Sequence, residues 1–366
     1  MATSSAVAKE LERLARELED WSRSLLLWEL RLSQCGFHPA AAAALAVALY
    51  GRSLTHQHRS LTTTAQGFRR ADASIKLSAM NDGVHRALSK TASREYGDLA
   101  ELHSGLAEKR ERVYLRGNTR NDGQLVEVLG DLINAEHIVI LVPGMTNELA
   151  NFETQIRPRS VALLDELQRQ APRTKVAVIA WLGYDSPDLS FTGLLQARAS
   201  GRAKVGAESL GVDLATIRGL NSKAHMTIIG HSYGAVVLGQ AMKRGLDRKG
   251  VSDVIVLGSP GMDANNRKDL GSPKISLWAS KATVKTRIPV PIPLPIPVPF
   301  PVVRHVTVDP ISFAPAHGED PSAKGFGAKR FSSDGTKSHG AYFDRGSVSL
   351  RNIVKISLGR GETVSK

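Results

Sequence analysis

The segment TIIGHSYGAVVLG contains a Gly-x-Ser-x-Gly pentad with Ser232 at its centre. Apolar residues on both sides of the pentad predict a buried strand that turns sharply into a helix. Gly230 and Gly234 would let the strand and the helix approach closely, and the helix N-terminus would favour negative charge beside the serine. The pentad therefore predicts that Ser232 is an activated nucleophile; the alternative is a structural bend whose serine caps the helix.

An activated serine needs a general base, because its hydroxyl is a poor nucleophile until a neighbouring group takes the proton. After a serine turn of this kind the expected chain order is serine, acid, histidine. His339 lies in TKSHGAYFD, after the last strand-like segment and just before the final helical pattern, where such a base is expected. We predict His339 as the base, with His317 of AHGED as the alternative.

The third group of such a site is a carboxylate that orients the histidine, and it should follow the strand after VIVLGSPG. That next strand is KISLWAS, and the residues directly after it, KATVKT, contain no acid. The first carboxylate beyond them is Asp309 in VTVDPISF. We predict Asp309 as the acid, on the interpretation that a proline-rich segment is inserted in front of it. Asp320 of HGEDP is the alternative.

Two backbone N–H groups should stabilise the negative charge that develops on a substrate carbonyl. One is expected from Tyr233, directly after the serine. The other should come from the turn after IVILVPG, where Met145 is the first choice and Thr146 the alternate. Gly144 would allow a close backbone approach at this turn and places it in the predicted site.

The segment WLGYDSPD contains the end of another predicted strand, KVAVIAWLGY. Its residues Trp181, Tyr184 and Asp185 are predicted to line the substrate site together with Gly144 and Thr146. The oxygen-bearing residues of GMDANNRKD lack the spacing of a calcium loop, and no glycine-rich phosphate loop precedes a helix. Neither a metal nor another cofactor is predicted.

Short β-branched segments alternate with helical patterns from about residue 117, which is typical of a mostly parallel sheet covered by helices. HIVILVPG is apolar on both faces and predicts a central strand, whereas QLVEVLG predicts an edge strand. The sequence thus predicts an α/β domain at 117–366. Further strands are predicted at KVAVIAWLGY, HMTIIGHS, DVIVLGSPG and KISLWAS, and helices near 150–170, 195–220, 233–244 and 347–358.

Residues 1–116 have a different pattern, rich in Ala, Leu, Glu and Arg with apolar positions at helical spacing. Two long helices are predicted at 5–35 and 39–80, separated near CGFHP, and a third at about 95–114. No set of residues in this region suggests chemistry. We therefore predict an all-helical N-terminal domain over residues 1–116.

A proline-rich segment at 288–303, IPVPIPLPIPVPFPVV, alternates proline with aliphatic residues. It can form neither a helix nor a central strand, so extended backbone is predicted. One interpretation is a rigid connector. The other is a lid or an apolar docking surface beside the site, which could also make peripheral contact with a membrane.

The formal net charge of +13 raises the question of an anionic partner. The excess of Lys and Arg is spread along the chain without a basic run or interleaved aromatic residues, so no nucleic-acid partner is predicted. The single cysteine, Cys35, excludes an internal disulfide framework. The N-terminus has no secretory pattern and AAAALAVALY is too short to span a bilayer, so a cytoplasmic location is expected, with non-classical export left open.

Six segments in one order resemble a family of actinobacterial α/β hydrolases, defined mainly as a domain of unknown function: HIVILVPGMTN, VIAWLGYDSPD, IIGHSYGAVV, VIVLGSPGM, HGEDP with GFGAKRF, and SHGAYF. The resemblance covers about residues 117–360 and implies an α/β-hydrolase fold with a serine triad. Ser232 matches the family's nucleophile, His339 its base, and Asp309-Pro310-Ile311 the turn that carries its acid. The proline-rich segment before that turn departs from the family pattern.

These observations lead to two functional hypotheses. The first is a cofactor-independent serine hydrolase that acts on a small-molecule or lipid ester with an apolar part. The second is a hydrolase-fold binding module without turnover. Members of the family often carry an N-terminal helical region similar to the helical hairpins of type VII secretion, which residues 1–116 resemble loosely, so the second hypothesis includes a link to that system.

Overall fold

The computed structural model describes residues 9–20, 23–24, 38–94, 98–188, 190–282, 286–291, 303–308 and 316–365. The chain forms two compact units, Met1–Ser78 and Ala79–Lys366. Helix α1 at residues 9–20 and most of helix α2, His38–Ala92, belong to the first unit. Pro39 lies in the first turn of α2, where proline is tolerated because the first helical N–H groups have no partner within the helix.

The division between the units falls earlier than the domain boundary predicted at residue 116. The end of α2 explains the difference, because Val84 and Leu88 are buried in one core cluster with Tyr114 and Leu125. Residues after Ser78 therefore fold with the α/β part. The helix predicted at 95–114 is shorter in the structure, α3 at Asp98–Glu108, because the chain enters strand β1 at Val113–Asn118.

The second unit is built on an eight-stranded sheet with the order β1-β2-β4-β3-β5-β6-β8-β12. β2 pairs antiparallel with β1 and with β4, and the remaining neighbours are parallel. The predicted α/β fold is confirmed. QLVEVLG is not an edge strand, because β1 pairs with its outer side. The other strands of this sheet are β2 Gln124–Gly130, β3 His137–Val142, β4 Val176–Leu182, β5 His225–His231, β6 Val251–Leu257, β8 Ser276–Ser280 and β12 Lys329–Arg330.

Helices cover both faces of this sheet. α4 and α8 pack on one face, in a core cluster that includes Leu163, Ile353 and strand residues such as Val139 and Ile229. α6 and α7 pack together on the other face. The single helix predicted at 195–220 is two, because the backbone is extended at Ala199. The helices are α4 Arg157–Gln170, α5 Phe191–Arg198, α6 Gly201–Leu220, α7 Gly234–Lys243 and α8 Val348–Ser357.

The parallel strands end in register at one edge of the sheet. Val142 of β3 pairs with Gly230 of β5, His231 with Leu257 of β6, and Leu257 with Ser280 of β8. The order of the strands reverses between β3 and β5, which is the position where parallel α/β sheets form their ligand crevices. The residues that follow β3, β5, β6 and β8 therefore meet at one edge.

The proline-rich segment begins and ends in a two-stranded antiparallel ribbon. Strand β9, Thr286–Pro291, pairs with β10, Val303–Val308, and this ribbon is separate from the main sheet. The expectation of extended backbone outside the central sheet holds for 288–291 and for residue 303. Residues 292–302 lie outside the described part of the chain. A further two-stranded pairing joins β7, Gly261–Ala264, to β11, His317–Gly318.

No helix among the described residues combines the length and the apolar character needed to cross a bilayer.

The contact between α7 and β7 yields a prediction about Gly239. Alanine in place of glycine inside a helix usually stabilises it by about 1 kcal/mol. At Gly239, however, a Cβ would lie 2.1 Å from the carbonyl oxygen of Met262, which is backbone and cannot rotate away. We expect Gly239→Ala to lower the free energy of unfolding by about 1–3 kcal/mol.

The matched control is Gly211→Ala in α6, where a Cβ would have no heavy atom within 4 Å. This change should raise the free energy of unfolding by about 0.5–1 kcal/mol. Urea denaturation of both variants measures the two effects, and changes of the same sign would contradict the prediction.

Candidate active site

Ser232 has a strained backbone at the turn from β5 into α7. Its φ is 55°, a left-handed value that few residues other than glycine adopt, and its amide donates to the carbonyl oxygen of Leu257 at 2.9 Å. The flanking glycines permit the turn. A Cβ on Gly230 would lie 2.9 Å from the backbone of Gly234, and one on Gly234 would lie 2.5 Å from the carbonyl oxygen of Val142. Ser232 is thus held partly exposed at the N-terminus of α7.

The turn after β3 lies directly against Ser232. A Cβ on Gly144 would lie 2.6 Å from the Cβ of Ser232 and 3.1 Å from its Oγ. Only glycine allows this approach of the two turns. The structure thus brings Gly144 and Ser232 together, as the sequence predicts.

The backbone amides beside Ser232 differ in their availability. The amide of Thr146, the alternate choice, donates to the carbonyl oxygen of Pro187 at 2.8 Å. Among the turn, loop and cap hydrogen bonds of the described backbone, neither the Met145 amide nor the Tyr233 amide is a donor. Because an amide that binds a substrate oxyanion must not be occupied, Met145 and Tyr233 are the better candidates.

Side chains that the sequence analysis did not select hold the turn after β3 in place. Asn147 Nδ2 donates to the carbonyl oxygens of Gly144 at 3.1 Å and Met145 at 2.8 Å. Ser186 Oγ accepts from the Asn147 amide at 3.0 Å and donates to the Asn147 carbonyl at 2.9 Å. These bonds fix the direction of the Met145 amide. Asn147 lies in PGMTN and Ser186 in YDSP, each shortly after a buried strand. A polar residue at that position was the sequence signal that could have identified them.

The imidazole of His339 lies against the carboxyl end of β6. A Cβ on Gly258 would lie 2.9 Å from Cε1 and 3.1 Å from Nδ1 of this ring. Gly258 directly follows Leu257, whose carbonyl accepts the Ser232 amide. Ser232 and His339 are both partly exposed. The predicted nucleophile follows β5 and the predicted base contacts the residue after β6, so the two lie at the ends of neighbouring strands.

His231, inside the pentad, fixes the backbone of the predicted base. Its Nε2 lies 2.7 Å from the carbonyl oxygen of His339, and the two rings are 4.8 Å apart. A carbonyl only accepts, so Nε2 carries the proton. Burial, with the nearby His339 and Arg159, holds the pKa of His231 well below its ordinary value. This ring is therefore a neutral donor that positions the His339 loop.

His317, the alternative base, is engaged at both ring nitrogens. Nδ1 lies 2.6 Å from Asp263 Oδ1, and Nε2 lies 2.5 Å from the carbonyl oxygen of Ala197. The side chain is buried. In this arrangement His317 has no nitrogen free to take a proton from Ser232.

Asp320, the alternative acid, also has other partners. Its Oδ1 accepts from the amide and hydroxyl of Ser322 at 2.8 and 2.7 Å, and its Oδ2 lies 3.1 Å from Lys281 Nζ. These contacts belong to a local turn and a surface ion pair. They do not include a histidine.

Asp309, the predicted acid, lies outside the described residues. The residue before it, Val308, pairs with Thr286, so the chain leaves the β9–β10 ribbon beside the residue at which it entered. β8 ends at Ser280 and is the strand after which the acid is expected. The topology is consistent with an insertion in front of the acid loop, and the assignment of Asp309 stays a prediction.

Two residues predicted to line the substrate site are instead interior supports. Trp181 is fully buried, its Nε1 donates to Asp213 Oδ2 at 2.7 Å, and its ring stacks on Tyr184 at 5.9 Å. Tyr184 is 1% exposed and its hydroxyl donates to the carbonyl oxygen of Pro143 at 2.9 Å. The expectation for these two is corrected, because neither exposes surface to a substrate. The two aromatic side chains pack in the interior beneath the end of β4.

Asp185 is partly exposed, and its role in lining the substrate site stays a prediction. Its Oδ2 accepts from Asn121 Nδ2 at 3.1 Å and lies 3.5 Å from Arg202 Nη1.

Within the described ranges, no group of three or more His, Cys, Asp or Glu side chains is arranged to hold a metal ion.

Comparison with known proteins agrees with this fold. A model of an α/β hydrolase family matches residues 118–288. An uncharacterized protein of Mycobacterium bovis is 31% identical over 192 residues, 50% of this chain and 70% of that protein. The chain belongs to the α/β hydrolase family.

Other comparisons are more partial. An uncharacterized protein of Mycobacterium tuberculosis is 26% identical over 256 residues, which is 66% of this chain, and the chain spans only 38% of that relative's length. A solved carboxyl esterase of Bacillus coagulans is 15% identical, with a TM-score of 0.27 over 43% of this chain and 46% of the esterase. A lipase-esterase related protein of Clostridium acetobutylicum is 11% identical, with a TM-score of 0.25 over 40% of this chain and 51% of that protein.

The role of His231 can be tested through stability. Because its pKa is lower in the folded than in the unfolded chain, the unfolded chain binds an extra proton as the pH falls below about 6.5, and stability falls. His231→Gln keeps an N–H donor but cannot titrate. We expect it to reduce the loss of stability between pH 8 and pH 5.5, measured by urea denaturation.

His231→Phe is the companion variant, because it removes the donor and leaves the His339 carbonyl unpaired. It should lower the free energy of unfolding at pH 8 by about 1–3 kcal/mol. Equal stabilities of the two variants at pH 8, or a pH dependence unchanged in both, would argue against this role.

Proposed function

We propose that the protein is a serine hydrolase that cleaves a carboxylic ester with an apolar part. Ser232 is the nucleophile, His339 the base and Asp309 the acid that orients it. The observation that carries the proposal is the strained φ of 55° at Ser232 in a turn that only its glycine neighbours permit. Strain of this kind is costly and is found mainly at functional sites.

In the proposed first step, Ser232 Oγ attacks the carbonyl carbon of the ester while His339 takes the hydroxyl proton. The tetrahedral intermediate then collapses, the bond to the alcohol oxygen breaks, and His339 returns the proton to that oxygen. Water attacks the acyl-enzyme in the second step, with His339 again as base. The carboxylic acid leaves and the Ser232 hydroxyl is restored.

The amides of Met145 and Tyr233 stabilise the oxyanion in this mechanism. Such preorganised donors work because they already point at the position where charge develops. The bonds from Asn147 to the carbonyls of Gly144 and Met145 support this assignment, since they fix the turn before any substrate arrives.

The preference for an apolar ester rests on apolar surface beside the site. Helix α5 ends where Tyr233 Oη donates to the carbonyl oxygen of Ala199 at 3.0 Å, and Leu195 of the same helix is 53% exposed. The sequence supplies further aliphatic residues at 288–303, shortly after β8, whose carboxyl end lies at the edge of the sheet where β5 and β6 also end. We infer that this segment acts as a lid over the acyl group.

An active-site-directed fluorophosphonate tests the nucleophile. Wild-type protein should be labelled and Ser232→Ala should not. Ser259→Ala, at a serine shortly after the end of the neighbouring strand β6, serves as the control and should be labelled like wild type. Labelling of Ser232→Ala at the wild-type level would exclude Ser232 as the nucleophile. A panel of ester, thioester and anilide substrates, assayed with wild-type protein, defines the bond that is cleaved.

The acid is tested by comparing the ester turnover of two variants. Asp309→Asn should slow turnover by about 10³–10⁴-fold with the fold intact, because the imidazole loses its orienting carboxylate. Asp320→Asn should have little effect, since this carboxylate binds Ser322 and Lys281. The opposite result would assign the acid to Asp320.

The ribbon allows a clean test of the lid. Because Pro291 and Val303 are directly paired, residues 292–302 can be replaced by a two-residue Asn-Gly turn. We expect the ratio of rates on long and short acyl esters to change, with little change in melting temperature. An unchanged acyl profile would mean that the segment is a connector.

A further inference from the structure

A buried ion pair lies beside the ring of Tyr233. His317 of β11 is 2% exposed and pairs with Asp263 of β7, and a Cβ on Gly261 would lie 2.3 Å from the His317 carbonyl oxygen. Asp263 has a left-handed φ of 53°. A non-glycine residue keeps this conformation only when its surroundings hold it there. The pair is therefore a built feature.

The partners of His317 determine its protonation. Asp263 Oδ1 at 2.6 Å and the Ala197 carbonyl oxygen at 2.5 Å both only accept hydrogen bonds while the carboxylate is ionised. Asp263 Oδ2 also accepts from Gln240 Nε2 at 2.6 Å, as expected of a carboxylate. Both ring nitrogens must then carry hydrogen, so the ring is an imidazolium. Neutral histidine would lose one of the two bonds.

The charges around the ring agree with this assignment. Burial opposes the charge, but the hydrogen bonds that the ring donates to Asp263 and to the Ala197 carbonyl raise the pKa of His317 above its ordinary value. Asp263 is the carboxylate in contact. Four further titratable groups of the described residues lie nearby. They are Tyr233, whose ring meets His317 edge-on at 5.7 Å, Lys243, which donates to the Asp263 carbonyl, Arg202, whose charge acts on Tyr233, and Asp269, which lines the same cavity as Asp263 and His317.

The imidazolium binds the end of the helix that Tyr233 also binds. Ala197 lies in the last turn of α5, where carbonyl groups lack helical partners and a cation is favoured. Tyr233 Oη donates to the carbonyl of Ala199, two residues further. At the other end of this segment, the Pro187 carbonyl accepts the Thr146 amide. The segment from Pro187 to Ala199 thus connects both turns that carry the candidate oxyanion amides.

We propose that His317 is a positioning residue: as an imidazolium it fastens the end of α5 to β7 and thereby fixes the side chain of Tyr233, whose amide is a candidate oxyanion donor. The site loosens when the His317 ring loses its proton. The effect on turnover rests on the serine-hydrolase function proposed above. The fastening itself does not, because it concerns the folded structure alone.

The wild-type ring is tested directly by nitrogen-15 NMR of histidine-labelled protein, with the His317 signals assigned from their loss in His317→Gln. We expect most of the His317 rings to carry hydrogen on both nitrogens at about pH 6.5, the pH at which an ordinary histidine is half protonated. A neutral ring at pH 6.5 would overturn the proposal, whether or not the protein has activity.

The link to the site is tested by the rate of fluorophosphonate labelling as a function of pH. Because the pKa of His317 is raised in the folded state, its contribution is complete below about pH 6.5 and is lost as the pH rises through the folded value. Wild type should therefore show a decline in rate on the alkaline side. His317→Gln and Asp263→Asn should be about tenfold slower at pH 7 and lack that decline.

The control is a second pair of the same kind, in which His225 Nε2 lies 2.8 Å from Asp253 Oδ2 at the opposite end of the sheet. His225→Gln should keep both the rate and the alkaline decline. An alkaline decline retained in His317→Gln would overturn the positioning role. If wild type is not labelled at all, the serine-hydrolase function fails, and the NMR experiment still decides the state of the ring.

Discussion

The close approach of three parallel strand ends is the constraint on which the site depends. β3, β5 and β6 end in register, so the turns that follow them must pass within van der Waals distance of one another. Gly144, Gly234 and Gly258 each occupy a point where a Cβ would meet a neighbouring turn or ring. The left-handed φ of Ser232 follows from this crowding, since its amide has to reach Leu257 while its side chain stays accessible.

The sequence predicted the parts of this arrangement that periodicity and local chemistry encode. Buried strands such as HIVILV are apolar on both faces, and the glycines of the pentad mark the sharp turn. Their positions and the α/β class follow directly. Strand β1 and the end of α2 were harder to assign to a domain. Val84 and Tyr114 lie in sequence with a helical pattern, and they join the α/β unit only through tertiary packing.

The direction that aromatic and polar side chains take near the site could not be predicted from the sequence. Trp181 and Tyr184 directly follow or end a strand, as lining residues do, yet both turn inward to bind Asp213 and the Pro143 carbonyl. Asn147 looks like an ordinary turn residue, but its amide fixes two carbonyls. The side of a strand end that a side chain takes is set by packing against other elements, and no local pattern records it.

Two histidines beside the serine turn illustrate how environment decides chemistry for one residue type. His231 is buried against aromatic rings and a single carbonyl, so desolvation dominates and the ring stays neutral. His317 is also buried, but a carboxylate and a helix-end carbonyl face its two nitrogens, and the charged form is favoured. The first holds the loop of His339 and the second holds the helix beside Tyr233. In this proposal a neutral donor supports the serine turn on one side and a cation supports it on the other, because the groups that face each ring, and not the residue type, decide its charge.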